Sequence, residues 1–199
     1  MEKVEINKNM KLSEHFTLGE MCKTKYVTED GNIPSRVHIE NLKCICENWL
    51  EDLRYSYNML YVHSGVRPQS KVVAGVRPQS IVAGDCTLAP DPGAAPELGA
   101  APASRKEEPI VINSGYRSPE VNRLAGGATN SNHLTGCAVD IRCAGKEQMI
   151  RYASILLDIA DGSKQEYDEL LLEQHGSVCW LHFAVRPKEN RRIIRFLRV

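Results

Sequence analysis

The stretch NSNHLTGCAVDIRC, residues 130–143, decides how the second half of this 199-residue chain folds. Gly136 predicts a tight bend, and the residues that follow it predict a β-strand over 137–141. Alternate residues of a strand face opposite sides, so Asp140 faces away from the core while its neighbours face the core. The bend turns His133 back toward the Asp140 face. We therefore expect an imidazole and a carboxylate to converge on one point.

A third group comes from the strand-like run CWLHFAV, residues 179–185. His182 lies in the middle of this run, with Leu181 and Phe183 facing the opposite side, where a core would hold them. Two imidazoles and one carboxylate suit zinc, and three protein ligands leave a fourth position for water. Zinc lowers the pKa of such a water to about 7. The pattern therefore predicts hydrolytic chemistry.

The remaining patterns predict an α+β fold, with helices packed on a small, mostly antiparallel sheet. Pro34 suits a helix start, and Ser118 followed by proline suits the cap of a second helix. We predict long helices at 35–57 and 146–160, the second closed by Asp161-Gly162, and strands at 110–112, 168–174, 179–185 and 192–199. The apolar residues of the first helix are Val37, Leu42, Ile45, Trp49, Leu53 and Tyr57.

Residues 62–108 differ from the rest of the chain in composition and in containing a repeat. The hexapeptide GVRPQS occurs at 65–70 and again at 75–80, and an Ala-, Pro- and Gly-rich tract follows. Two copies are too few for a solenoid, and the tract lacks the bulky apolar residues that offset ordering entropy. We interpret the chain as a single domain, 1–199, that carries a flexible insertion, in which the repeat could pair as a short hairpin.

The amino-acid composition limits which binding partners and which cellular compartment we expect for this protein. Lys plus Arg and Asp plus Glu number 25 each. The chain therefore has no excess of positive charge that would attract nucleic acid or an anionic membrane. The N-terminus lacks the apolar stretch of a signal peptide, and an odd total of seven cysteines suits free thiols in a cytoplasm. Cys44 and Cys46 lie two apart in a helix and point in different directions, which favours packing over a shared metal.

Three motifs carry a family resemblance. They occur along the chain in the order INSGYRSPEVNRL (112–124), SNHLTGCAVD (131–140) and WLHFAV (180–185). They resemble the motifs of the zinc D-Ala-D-Ala carboxypeptidases and L-alanyl-D-glutamate endopeptidases, a family that includes many phage endolysins. The resemblance implies a Hedgehog/DD-peptidase-like fold. It also implies a zinc ion bound by His133, Asp140 and His182.

The same resemblance suggests substrate-binding residues. Arg117 would hold a substrate carboxylate or polarise the carbonyl oxygen that becomes negative during attack. Ser131 would hydrogen-bond substrate or fix the histidine loop. Arg67 and Arg77 stand in similar local sequence and are alternatives to Arg117, which we favour because it adjoins the other motifs.

This chain differs from the family pattern at the positions where the general base is expected. Many members carry Glu or His two or three residues before the last ligand, where this chain has Trp180 and Cys179. Glu173 is our candidate, because its strand is expected to pair with that of His182 in a hairpin. His175 is the second choice, although its position in a turn alone explains it.

The resemblance implies a zinc peptidase that cuts peptidoglycan stem peptides or cross-links. We expect a monomer, although no sequence feature fixes the oligomeric state. It would be made in the cytoplasm without a signal peptide and act on the cell wall after release. Whether it is an endopeptidase or a carboxypeptidase stays open at this point. The main alternative is a catalytically weak, zinc-containing module that binds cell-wall peptide, and a purely structural zinc domain is disfavoured because such sites have four ligands.

Overall fold

The computed structural model describes residues 7–63 and 106–199. Helix α1 (Leu18–Met21) precedes a long helical run made of α2 (Arg36–Ile45), a π-helical turn (Cys46–Leu50), α3 (Glu51–Tyr57) and a second π-helical turn (Asn58–His63). After residue 106 come β1 (Ile112–Ser114), α4 (Pro119–Leu124), a 3₁₀ turn (Asn132–Thr135), β2 (Ala138–Cys143), α5 (Lys146–Ser163), β3 (Glu169–His175), β4 (Val178–Ala184) and β5 (Ile193–Arg198).

The described strands form one five-stranded sheet in the order β1-β2-β4-β3-β5. β2 pairs with β4 and β3 with β4, both antiparallel, so the predicted hairpin of the last histidine strand is confirmed. β5 instead pairs in parallel with β3, which makes the sheet mixed. The α+β class is thus confirmed. Among the helices that the structure describes, none combines the length and apolar character that a bilayer span requires.

The two faces of the sheet have different characters. Leu170, Leu172, Leu181 and Phe183 are buried in the apolar core on one face. The residues alternating with them, including Asp140 and His182, line the other face. Period-two alternation therefore explains both the core and the position of the polar site.

Aromatic side chains join the helical layer to the core face. The Trp49 ring lies 4.9 Å from Phe183 and 6.4 Å from Tyr167 between centroids, and Tyr57 lies 4.7 Å from Tyr152 of α5. These separations are typical of favourable tilted and edge-on pairs.

Several predicted details of the helices and strands require correction. Val37 is exposed, since it lies on the outer side of the first turn of α2. Helix α5 continues through Asp161-Gly162 and ends where Lys164 takes a left-handed conformation, with φ 59°. The strand predicted at 110–112 is shifted to Ile112–Ser114.

The predicted insertion overlaps the described residues only at its ends. His63 closes the second π-helical turn, and Glu108 exchanges hydrogen bonds with Asn58. An ion pair of 2.6 Å joins Arg54 to Glu107. Both ends of the segment are thus joined to the helical run, and the extent of the insertion stays a prediction. The GVRPQS repeat, Arg67 and Arg77 lie outside the described residues.

Gly136 provides the bend that the sequence predicts. Its φ is +70°, and a Cβ there would lie 2.5 Å from the His38 carbonyl oxygen. We expect Gly136→Ala to lower the free energy of unfolding by about 2 to 4 kcal/mol, through a left-handed residue and a backbone clash. Gly162→Ala in α5 is the matched control, because no atom lies within 4 Å of its Cβ position.

That control should raise stability by about 0.5 to 1 kcal/mol, the usual gain of Ala over Gly inside a helix. Urea denaturation of both variants measures the difference. Equal stability of Gly136→Ala and the parent protein would show that the bend tolerates a side chain.

Candidate metal centre

Three side chains converge on the outer face of the sheet, as predicted. One ligand atom from each of His133, Asp140 and His182 lies within 4.8 Å of the others, and all three residues are buried. His133 Nε2 is 3.2 Å and His182 Nδ1 is 2.9 Å from the same oxygen, Asp140 Oδ1. The register of the sheet causes this, because Asp140 and His182 are directly opposed on β2 and β4.

The 3₁₀ turn and the bend at Gly136 bring His133 to this point. Its Nδ1–H donates to the carbonyl of Gly115 at 2.6 Å, which leaves the Nε2 lone pair facing Asp140. Such a bond fixes the tautomer and the ring orientation of a metal-binding histidine. Ser131 accepts a hydrogen bond of 3.3 Å from the His133 backbone N–H. Of the two roles predicted for Ser131, the geometry supports fixing the histidine loop.

Arg117 contacts the second oxygen of the central carboxylate. Its guanidinium donates to Asp140 Oδ2, and its Nε donates to Ser114 Oγ at 2.8 Å. Arg117 is also held by a backbone hydrogen bond of 3.1 Å to the His133 carbonyl. The arginine therefore orients Asp140, and its predicted contact with substrate stays a prediction.

The pKa directions in this cluster have identifiable causes. Burial alone would raise the pKa of Asp140, but the charges and hydrogen bonds of His133 and His182 outweigh burial and hold it well below its ordinary value. Burial lowers the pKa of His133, and Asp140 only partly offsets it. For His182, burial is outweighed by Asp140 and Glu169, which raise its pKa to about 9. The donor set, two imidazoles and one ionised carboxylate, fits a zinc ion.

Glu173 lines the same cavity of about 500 Å³ as the three ligands. It faces the site because it lies two residues from Leu171, the partner of His182 in the β3–β4 register, and therefore on the same face of the sheet. Burial raises the pKa of its carboxyl, against the lowering effects of the His182 charge and a hydrogen bond from Trp180. A half-buried carboxyl with a raised pKa suits a residue that accepts and returns protons near neutral pH. Glu173 therefore shares the cavity of the three ligands, and its role as general base stays a prediction.

His175, the second candidate, lies at the end of β3. Its side chain is exposed, and its Nδ1–H donates to the carbonyl of Val199 at 2.5 Å. It does not line the cavity that contains the three ligands. The observed contact favours a role in joining β3 to β5.

Sequence reasoning missed Glu169, which also lines the cavity. Its Oε2 lies 3.6 Å from His182 Nε2, and the neighbouring imidazole lowers the pKa of the Glu169 carboxyl. The alternation of Glu169, Leu171 and Glu173 in the run DELLLE could have revealed it, because all three share the His182 face. The two glutamates are therefore distinct: one has a lowered pKa, the other a raised one.

A buried ion-pair network next to Glu169 was also missed. Asp168, with no exposed surface, accepts two hydrogen bonds of 2.7 Å from Arg191 and lies 3.0 Å from Arg186 Nε. Asn132, the residue before His133, donates to the same carboxylate at 2.8 Å. The network ties the histidine loop to the segment between β4 and β5.

We expect Asp168→Asn to lower the free energy of unfolding by about 2 to 3 kcal/mol. The loss is below the 3 to 5 kcal/mol of a fully buried pair, because both arginines are partly exposed. Hydrogen bonds from Arg191 and Asn132 hold the pKa of Asp168 below its ordinary value, although burial opposes them. The stabilisation is thus present above the ordinary pKa of about 3.9 and is lost as the pH falls through the folded value.

Denaturation at pH 7 and pH 3 tests this expectation, with Asp161→Asn as the control. Asp161 also pairs with an arginine, at 2.8 Å, but its side chain is 74% exposed. The stability deficit of the Asp168 variant relative to the parent should be smaller at pH 3 than at pH 7. A deficit of equal size at both pH values would contradict the assigned cause.

Comparison with known proteins adds one finding. A family model described as Peptidase M15 matches residues 89–165. This match supports the M15 zinc peptidase family. The matched range includes His133 and Asp140 and ends before His182, and it begins inside the segment 62–108 that we predicted as an insertion. No curated protein matches the chain.

Proposed function

We propose that this protein is a zinc-dependent peptidase that hydrolyses peptide bonds in bacterial peptidoglycan. The observation that carries the proposal is the convergence of His133, Asp140 and His182 beside Glu173 in one cavity. The match to the Peptidase M15 model supports the peptidase class. The cell-wall substrate rests on the motif resemblance.

His133 Nε2, Asp140 Oδ1 and His182 Nδ1 would hold the zinc. When bound, zinc lowers the pKa of a coordinated water to about 7 and polarises carbonyl oxygens. Glu173 would accept the proton of the attacking water and return it to the leaving amine. Arg117 keeps Asp140 oriented through its second oxygen, and Trp180 lines the cavity beside Glu173.

The shape of the groove supports an endopeptidase. The cavity of about 500 Å³ that holds Glu173 meets a second one of about 510 Å³, and Arg117, Ala125, Asp140 and Trp180 line both. Asp140 thus lies where two adjoining cavities meet, and an extended peptide that crosses the site would occupy both.

Hydrolysis of purified peptidoglycan tests the proposal. We expect the zinc-loaded protein to release new amino termini, a chelator to abolish the release, and added zinc to restore it. Mass spectrometry of the products separates the bond types, because a carboxypeptidase liberates free D-alanine and an endopeptidase liberates peptides.

A protein that binds one zinc ion, binds peptidoglycan peptide and releases nothing would contradict the proposal. That result would favour the alternative, a binding module built on the same scaffold.

A further inference from the structure

We infer that Glu169 is a positioning residue for the zinc site: its carboxylate accepts the Nε2–H of His182 and thereby directs His182 Nδ1 at the metal. The inference rests on the metal site of the proposed function, and it concerns zinc affinity as well as hydrolysis.

The His182 ring lies between two carboxylates. Its Nδ1 is 2.9 Å from Asp140 Oδ1, and its Nε2, on the other side of the ring, is 3.6 Å from Glu169 Oε2. The second distance is roughly 0.5 Å longer than an ordinary hydrogen bond, so the proposed bond requires a small rotation of the His182 ring toward Glu169. Glu169 therefore acts on the nitrogen that points away from the convergence of ligands.

His133 is held in the same way, except that its Nε2 faces Asp140 and its Nδ1 contacts the outer acceptor. The Gly115 carbonyl accepts its Nδ1–H at 2.6 Å, and Nε2 faces Asp140. Each histidine thus presents one nitrogen to Asp140 Oδ1 and has an oxygen acceptor beside the other. Without an acceptor at Nε2, His182 could carry its proton on Nδ1, which would remove the lone pair that binds zinc.

Glu169 is itself held in place by groups outside the metal centre. Asn132 Nδ2 donates to its Oε2 at 3.0 Å, and Arg191 donates to its Oε1 at 2.8 Å. Both donors also bond the buried carboxylate of Asp168. The Glu169 side chain is 23% exposed, so solvent only partly screens its contact with the imidazole.

Zinc affinity provides the test, measured by competition with a chromophoric chelator. We expect Glu169→Ala to weaken zinc binding 10- to 100-fold, the usual loss when the partner of a metal-bound histidine is removed. Glu169→Gln keeps an oxygen acceptor without the charge and should lose roughly fivefold, since charge-assisted hydrogen bonds are about twice as strong as neutral ones. Glu166→Gln, an exposed carboxylate before β3 that pairs with Arg192, should match the parent.

Nitrogen NMR of the histidine rings in the zinc-loaded protein gives a readout that a merely structural role would not change. The parent and Glu169→Gln should carry the His182 proton on Nε2, protected from solvent exchange, and Glu169→Ala should lose that protection. If Glu169→Ala fails to fold, the zinc affinity and the NMR spectrum are measured on Glu169→Gln instead.

Zinc affinities of both Glu169 variants within twofold of the parent would overturn the inference and leave the peptidase proposal intact. A parent protein that binds no zinc would overturn both.

Discussion

Replacing Glu173 by glutamine is expected to lower kcat for peptide hydrolysis by about 10²- to 10⁴-fold while zinc stays bound. This is the usual contribution of a positioned general base. The amide has the shape of the carboxylate, but it cannot take a proton from water. The measurement is hydrolysis under saturating substrate, with the zinc content of each sample determined in parallel.

Glu166→Gln serves again as the control, because its side chain is 56% exposed and lies outside the cavity. It should retain the parent's kcat. A Glu173→Gln variant with zinc bound and kcat within threefold of the parent would show that another group is the base.

The second large effect is expected from Asp140→Asn. The substitution keeps the shape of the side chain and removes the charge that faces His133, His182 and Arg117. Zinc affinity should fall by more than the 10- to 100-fold typical of losing a residue beside a ligand. The free energy of unfolding should fall by about 3 to 5 kcal/mol, because buried cationic groups lose their counter-charge.

Asp158→Asn is the matched control for this variant. Asp158 lies on α5 and is exposed, so its variant should keep the parent's zinc content and stability. Isothermal titration with zinc and urea denaturation measure the two quantities. Normal zinc affinity in Asp140→Asn would contradict the role of Asp140 as a ligand.

The features of the fold that depend on residues close together in the sequence could be predicted from local patterns. Alternation along β2 and β4 placed Asp140 and His182 on one face and Leu181 and Phe183 on the other, and the structure agrees. The bend at Gly136 was visible because glycine alone adopts a left-handed turn without strain. The same alternation would have found Glu169, had it been applied to the whole of β3.

Contacts between distant segments could not be predicted in this way. The parallel pairing of β5 with β3 depends on how the chain returns after β4, and the hydrophobic pattern of β5 is the same for either direction. Arg191 and Asp168 meet only because that return brings them together. Arg117 was predicted at the site, but no sequence pattern could show that it bonds Asp140.

The central claim is that His133, Asp140 and His182 bind one zinc ion together. X-ray absorption at the zinc edge of the protein, loaded with one equivalent, tests it most directly. We predict a first shell of nitrogen and oxygen at about 2.0 to 2.2 Å with the outer scattering of two imidazoles. A sulfur shell at about 2.3 Å, the distance of a cysteine ligand, would place the metal elsewhere in this seven-cysteine chain and contradict the account.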